Sequence, residues 1–197
     1  MTVSSNLYLA LIHHPVYDIN GEVIASAVSN LDLHDISRAA TTYGVRAFYV
    51  VTPLEDQRKL VERIVSHWTE GAGARYNPDR CEALRLIRVA VSLEAVQGEI
   101  ARDNDGAPVT VVTDARAHER NISYDVLAEM IKGEAPYLLL FGTAWGLTKE
   151  FIDQADYVLA PIMGVNGYNH LSVRSAAAIV LDRLLGKEIL SAQKEIG

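Results

Sequence analysis

Short runs rich in apolar and β-branched residues stand at 7–12, 45–51, 86–91, 109–112, 137–141 and 157–160, with stretches of helical character between them. A strand covered on both faces reads as such a run, and strands that alternate with helices imply right-handed crossovers and a mostly parallel sheet. Leu33, Ile36, Ala40 and Tyr43 recur at helical spacing, and Gly44 stands where a glycine ends a helix. Residues 52–55 read as a capping box with Pro53 at the first helical position, and Val61, Ile64, Val65 and Trp68 form the buried stripe behind it. The stretch 71–78 reads as an irregular loop. Ser92 caps a helix that ends near Asn104-Asp105-Gly106, and Ser123 opens another that stops at Gly133. No repeat, low-complexity segment or linker interrupts the series. The expectation is one α/β domain over residues 1–197, a mostly parallel sheet with helices on both faces.

Composition narrows the function. Hydrophobic residues make up 49% and charged residues 22% of 197, as in ordinary globular proteins. No apolar run reaches the roughly 20 residues of a membrane span. Residues 1–6 carry neither a basic region nor a small-residue cleavage site, so no secretory leader is expected. The single cysteine, Cys81, rules out an internal disulfide framework and fits a reducing compartment, which makes the cytoplasm the expected location. Lys and Arg total 18 against 25 Asp and Glu, a net charge of −7. That balance argues against a broad phosphate-gripping surface, so DNA is not expected and RNA contact would need a local patch.

The last quarter carries the candidate site. The strand at 137–141 runs into Gly142-Thr143-Ala144-Trp145-Gly146-Leu147, and the strand at 157–160 runs into a loop from Pro161 to Ser172. Loops leaving the carboxyl ends of strands in an open α/β sheet form a ligand crevice, and glycine there lets main chain approach a ligand. The 142–146 loop lacks both the dinucleotide G-x-G-x-x-G spacing and the P-loop lysine, and by itself it reads equally well as a plain strand-to-helix turn. No HExxH or CxxC occurs, and adjacent His13 and His14 point to opposite faces of a strand, so no metal is expected. Asn169 and Ser172 stand where they can cap the next helix while leaving donors toward the crevice. That helix, 173–185, is apolar over much of its circumference, which points to a second subunit as a neighbour.

The strand-end loops, closing with Asn169-His170-Leu171-Ser172-Val173-Arg174-Ser175-Ala176-Ala177-Ala178, resemble the SPOUT superfamily of α/β-knot methyltransferases. The chain as a whole resembles its bacterial family of SAM-dependent RNA methyltransferases. The resemblance implies a carboxyl-terminal deep trefoil knot, S-adenosyl-L-methionine as cofactor, a homodimer with the site at the subunit interface, and tRNA or rRNA as substrate. It places the cofactor against Thr113, Asp114, Phe141, Gly142, Thr143, Gly146, Pro161, Ile162, Gly164, Asn169, Leu171, Ser172, Val173 and Ser175. Main-chain groups of Phe141, Ile162 and Leu171 would read the adenine. Residues 35–45 are similar to the arginine-bearing helix of the ribose-methylating branch, which makes Arg38 the catalytic candidate, with His34 on the same helix face.

Each assignment has a plainer counterpart. Arg38 could pair with Asp35 on the surface, a contact worth little. His34 reads as a solvated or capping side chain, and His170 as structural. Trp145 stacks on a ligand or belongs to the core or a dimer interface. Asp114 touches the cofactor or caps the next helix. Where many relatives carry a glutamate in the second loop this chain has Ala144 and Trp145, and it lacks a basic RNA-binding extension. A non-catalytic RNA- or ribosome-binding relative, and an unknotted nucleotide-binding domain, are the competing readings.

Overall fold

The computed structural model describes residues 6–166 and 168–186. Residues 1–5, on which the absence of a leader was read, and Gly167 of the third loop lie outside them. Nine strands are described: β1 (Leu7–Ile12), β2 (Val16–Tyr17), β3 (Val23–Ile24), β4 (Phe48–Val51), β5 (Ile87–Ala90), β6 (Val109–Thr113), β7 (Asn121–Ile122), β8 (Tyr137–Gly142) and β9 (Tyr157–Leu159). The helices are α1 (Asn30–Thr42), α2 (Glu55–Thr69), α3 (Ala72–Tyr76), α4 (Pro78–Leu84), α5 (Leu93–Asp103), α6 (Tyr124–Met130), α7 (Lys149–Gln154) and α8 (Val173–Leu181). Seven strands form one sheet in the order β5-β4-β1-β8-β6-β9-β7, and every pairing in it is parallel. β2 and β3 form a separate antiparallel hairpin.

The central strands are apolar throughout because both faces are covered. Leu7, Leu9 and Leu11 of β1, with Tyr137, Leu139 and Phe141 of β8, pack among α1, α2, α4, α6 and α8. Tyr8, Ala10 and Ile12, with Leu138 and Leu140, meet α5, α7 and Val16 of the hairpin on the other face. Register Leu7↔Tyr137 to Ile12↔Gly142 keeps the two sets aligned, since one residue of slip would reverse every side chain. β9 lies between β6 and β7, so the segment 114–120 that joins these two parallel strands crosses β9.

Several boundaries differ from the sequence reading. Residues 71–78 are not irregular: α3 and α4 occupy them, with Pro78 opening α4 and the Asn77 side chain accepting from Arg80 N at 2.9 Å. These helices are too short to show a periodic stripe. The capping box at 52–55 does not form. Thr52 is buried and its hydroxyl accepts from Leu54 N at 3.3 Å, in a turn that delays α2 to Glu55. The strand read at 45–51 spans only Phe48–Val51, and the last helix becomes a π-helical turn at Asp182–Gly186. Gly44 ends α1 with φ +69°, and Ser92 and Ser123 cap α5 and α6, as read. The hairpin, β7 and α7 carried too few residues for a periodic signal.

Candidate functional site

The loops after β6, β8 and β9 converge with residues 26, 27 and 32 around a cleft of about 740 Å³. That volume lies in the range of small-molecule sites. Each loop is held by its own bonds. Thr113 Oγ1 donates to the Leu140 carbonyl at 3.0 Å, tying the first loop to β8. In the second, Gly146 N donates to Thr143 O at 3.0 Å and Gly146 adopts φ +101°, while Ala144 takes the left-handed φ of +52°. The hairpin props this turn from outside: Trp145 N donates to Tyr17 O and Tyr17 N to Gly146 O, at 3.1 and 2.9 Å. The 142–146 segment is therefore a braced loop leading to α7, whose cap is Thr148. Gly142 is required by close packing, since a Cβ there would meet Leu147 Cγ at 2.8 Å.

The third loop is tied to the first. Asn169 Nδ2 donates to the Ala115 carbonyl at 2.6 Å. Ser172 caps α8, its hydroxyl accepting from Ser175 N at 3.4 Å and lying 2.9 Å from Ser175 Oγ. Asp114 does not cap the next helix, which Ser123 does; its carboxylate instead accepts from Arg116 N at 3.2 Å and lies 2.8 Å from His118 Nε2.

Of the residues assigned to the cofactor, Thr113, Asp114, Phe141, Gly142, Thr143, Gly146, Pro161, Ile162, Asn169, Leu171, Ser172 and Val173 line the cleft. Gly164 and Ser175 are exposed and lie outside its lining. Arg38 and His34 do not line it either. Arg38 is exposed on α1, and no ion pair with Asp35 forms, because Asp35 Oδ2 meets Arg174 Nε at 3.3 Å. His34 is half-buried against the edge of the Trp68 ring, and burial together with the Arg80 charge holds its imidazole below the usual range. Trp145 lines the cleft and is 60% exposed, so it is not core; His170 also lines it, edge-on to Tyr168.

Sequence reasoning missed Ser26, Ala27, Asp32, Arg116 and Tyr124, which line the same cleft. Asp32 carried the one usable signal, an acidic side chain in the first turn of α1. It is buried, and burial raises its carboxyl above the ordinary range while Arg174, 3.4 Å away, opposes the rise. Uncharged hydroxyl and amide groups dominate the rest of the polar lining.

Comparison with known proteins agrees with this architecture. The family described as SAM-dependent RNA methyltransferase matches residues 6–186. A tRNA (guanine-N(1)-)-methyltransferase of Oleidesulfovibrio alaskensis is 44% identical over 181 residues, covering 92% of this chain and 42% of that protein. The chain thus spans about two fifths of the length of that relative. An uncharacterised protein of Aquifex aeolicus is 37% identical over 186 residues, 94% of this chain and 91% of its own length. Among solved structures, the SpoU methyltransferase AviRb from Streptomyces viridochromogenes in complex with AdoMet superposes with a TM-score of 0.55 at 19% identity, covering 93% of this chain and 60% of that one. At that identity the likeness concerns the fold.

Proposed function

Because the chain belongs to the SAM-dependent RNA methyltransferase family, we propose that the three-loop cleft holds S-adenosylmethionine and that methyl transfer to tRNA takes place at its mouth. The observation that carries this reading is the convergence of twelve assigned residues, from three strand ends and the loops that follow them, on one cleft. The lining fits an adenosyl ligand: apolar side chains of Phe141, Ile162 and Val180 stand with the hydroxyl and amide groups of Ser26, Thr113, Thr143, Asn169 and Ser172. When bound, the cofactor supplies an electrophilic methyl on a sulfonium centre. Main chain at Phe141, Ile162 and Leu171 would bind the adenine, and Asn169 and Ser172 would orient the remainder. The chain's part in catalysis is chiefly alignment, worth up to about 7–11 kcal/mol in favourable cases.

The crossing of β9 by the segment that joins β6 to β7 supports reading the carboxyl-terminal part as a deep trefoil knot. Met163, Tyr168 and Leu171 are exposed beside the cleft, and an apolar patch of this kind suits an interface. A homodimer is the reading it supports, with exposed Arg38 serving the cleft of the second copy by stabilising charge at the attacking group. tRNA is favoured over rRNA because the longer relative is a tRNA (guanine-N(1)-)-methyltransferase.

Transfer of tritium from methyl-labelled cofactor to bulk tRNA, with rRNA in parallel, tests the reading. Label is expected in tRNA, and Arg38→Ala should abolish it without changing cofactor affinity. No transfer to either RNA would reject the enzymatic reading, and unchanged transfer by Arg38→Ala would remove the role of that arginine.

A further inference from the structure

The hydroxyls of Ser26 and Thr143, both in the cleft wall, belong to a hydrogen-bond chain whose direction follows from counting protons. Thr143 Oγ1 lies 3.1 Å from the Ile12 carbonyl, which only accepts, so the threonine proton points there. Ser26 Oγ lies 2.6 Å from Thr143 Oγ1, a separation that requires a proton between the oxygens, and only Ser26 has one left to give. Ser26 Oγ also lies 3.5 Å from the His13 carbonyl, at the limit of a hydrogen bond and the longest contact of the set. His13 Nδ1 lies 2.9 Å from Ser26 Oγ and must therefore donate to it. The opposite direction would leave two oxygens facing each other at Ile12 and bury a histidine N–H without a partner. His13 Nε2 is buried with no partner, a condition better tolerated by a bare lone pair than by an N–H. Burial also keeps the ring neutral, with a pKa lowered to about 4.

We propose that Ser26 and Thr143, oriented by His13, form an acceptor-only corner of the cleft, in which both hydroxyl protons are committed to protein acceptors and the remaining oxygen lone pairs select a ligand group that donates a hydrogen bond. This rests on the reading of the cleft as an adenosyl-cofactor site. The donor is then a ribose hydroxyl or the α-ammonium of that ligand. Ser26 touches it, whereas His13 is a positioning residue that sets the orientation of the Ser26 hydroxyl.

Calorimetry with S-adenosylhomocysteine and its 2′-deoxy, 3′-deoxy and deaminated analogues tests the corner. Ser26→Ala should weaken binding of the parent ligand by about 3- to 10-fold, the worth of one neutral hydrogen bond. That penalty should vanish for the one analogue lacking the donor. An equal penalty for all four ligands, or none, overturns the proposal while leaving the cofactor reading intact; absence of binding by the unaltered protein removes both. Long-range proton–nitrogen NMR of the unaltered protein should show His13 protonated at Nδ1, and the Nε2–H tautomer would overturn the direction of the chain. His13→Asn, which keeps a donor near the Nδ1 position, should retain affinity that His13→Leu loses.

Discussion

Asn169 and Ala115 stand 54 residues apart in sequence, yet the Asn169 side-chain amide donates to the Ala115 carbonyl over 2.6 Å. This bond closes the third loop against the first, in the segment that joins β6 to β7 across β9. Asn169→Ala should loosen that closure with little effect on the core. A loss of up to about tenfold in S-adenosylhomocysteine affinity is expected, with a melting temperature close to the parent's. Calorimetry and thermal unfolding together check it, and a large drop in melting temperature would assign the bond to folding instead.

The second loop depends on the absence of a side chain at Gly142. A Cβ there would fall 2.8 Å from Leu147 Cγ and 3.1 Å from Leu147 N, and Leu147 is itself buried. Gly142→Ala should cost about 1–3 kcal/mol by overpacking. Denaturant unfolding of Gly142→Ala, Leu147→Ala and the double variant should show strong coupling, the pair costing less than the sum. Simple additivity would mean that the loop yields without strain.

Ser172 has two roles that substitution can separate. As the cap of α8 its loss in Ser172→Ala should cost about 1 kcal/mol of stability. Ser172→Asp caps equally well and should restore that stability. It also places a carboxylate in the cleft lining, so cofactor affinity should stay low. Recovery of both properties together would leave Ser172 with capping alone.

His13 gives the fold a pH dependence. Its folded pKa is depressed to about 4 from 6.5, so the unfolded chain takes up the proton first. The stabilisation is fully present above roughly pH 6.5 and is lost as pH falls through 4, about 3 kcal/mol in all. Denaturant midpoints from pH 7 to pH 4 should fall more steeply for the parent than for His13→Asn. Parallel curves would show that His13 titrates normally.

Much of this was legible in the sequence because parallel strands covered on both faces are written as apolar runs. Leu7–Ile12 and the Tyr137–Phe141 run could be read directly, and so could Gly44, Ser92 and Ser123 at helix ends. The loops leaving β8 and β9 were legible for the same reason, since glycine and capping residues follow those strands. What escaped has a common cause. The two-residue strands of the hairpin have no period, and their work is done by main-chain bonds from Tyr17 to Trp145 and Gly146, which side-chain identity does not encode. Ser26 and Asp32 line the cleft from the segment between the hairpin and the first turn of α1, which no strand-end signal marks. The Asp35–Arg38 spacing allowed a pair that Arg174, distant in sequence, takes over by tertiary packing.

Titration calorimetry of S-adenosylhomocysteine into the intact protein, with Ser172→Trp as comparison, addresses the central claim most directly. One ligand per chain with micromolar affinity, abolished by the tryptophan that fills the mouth of the cleft, is the result expected. Absence of binding by folded protein, or binding that Ser172→Trp leaves unchanged, would contradict the account.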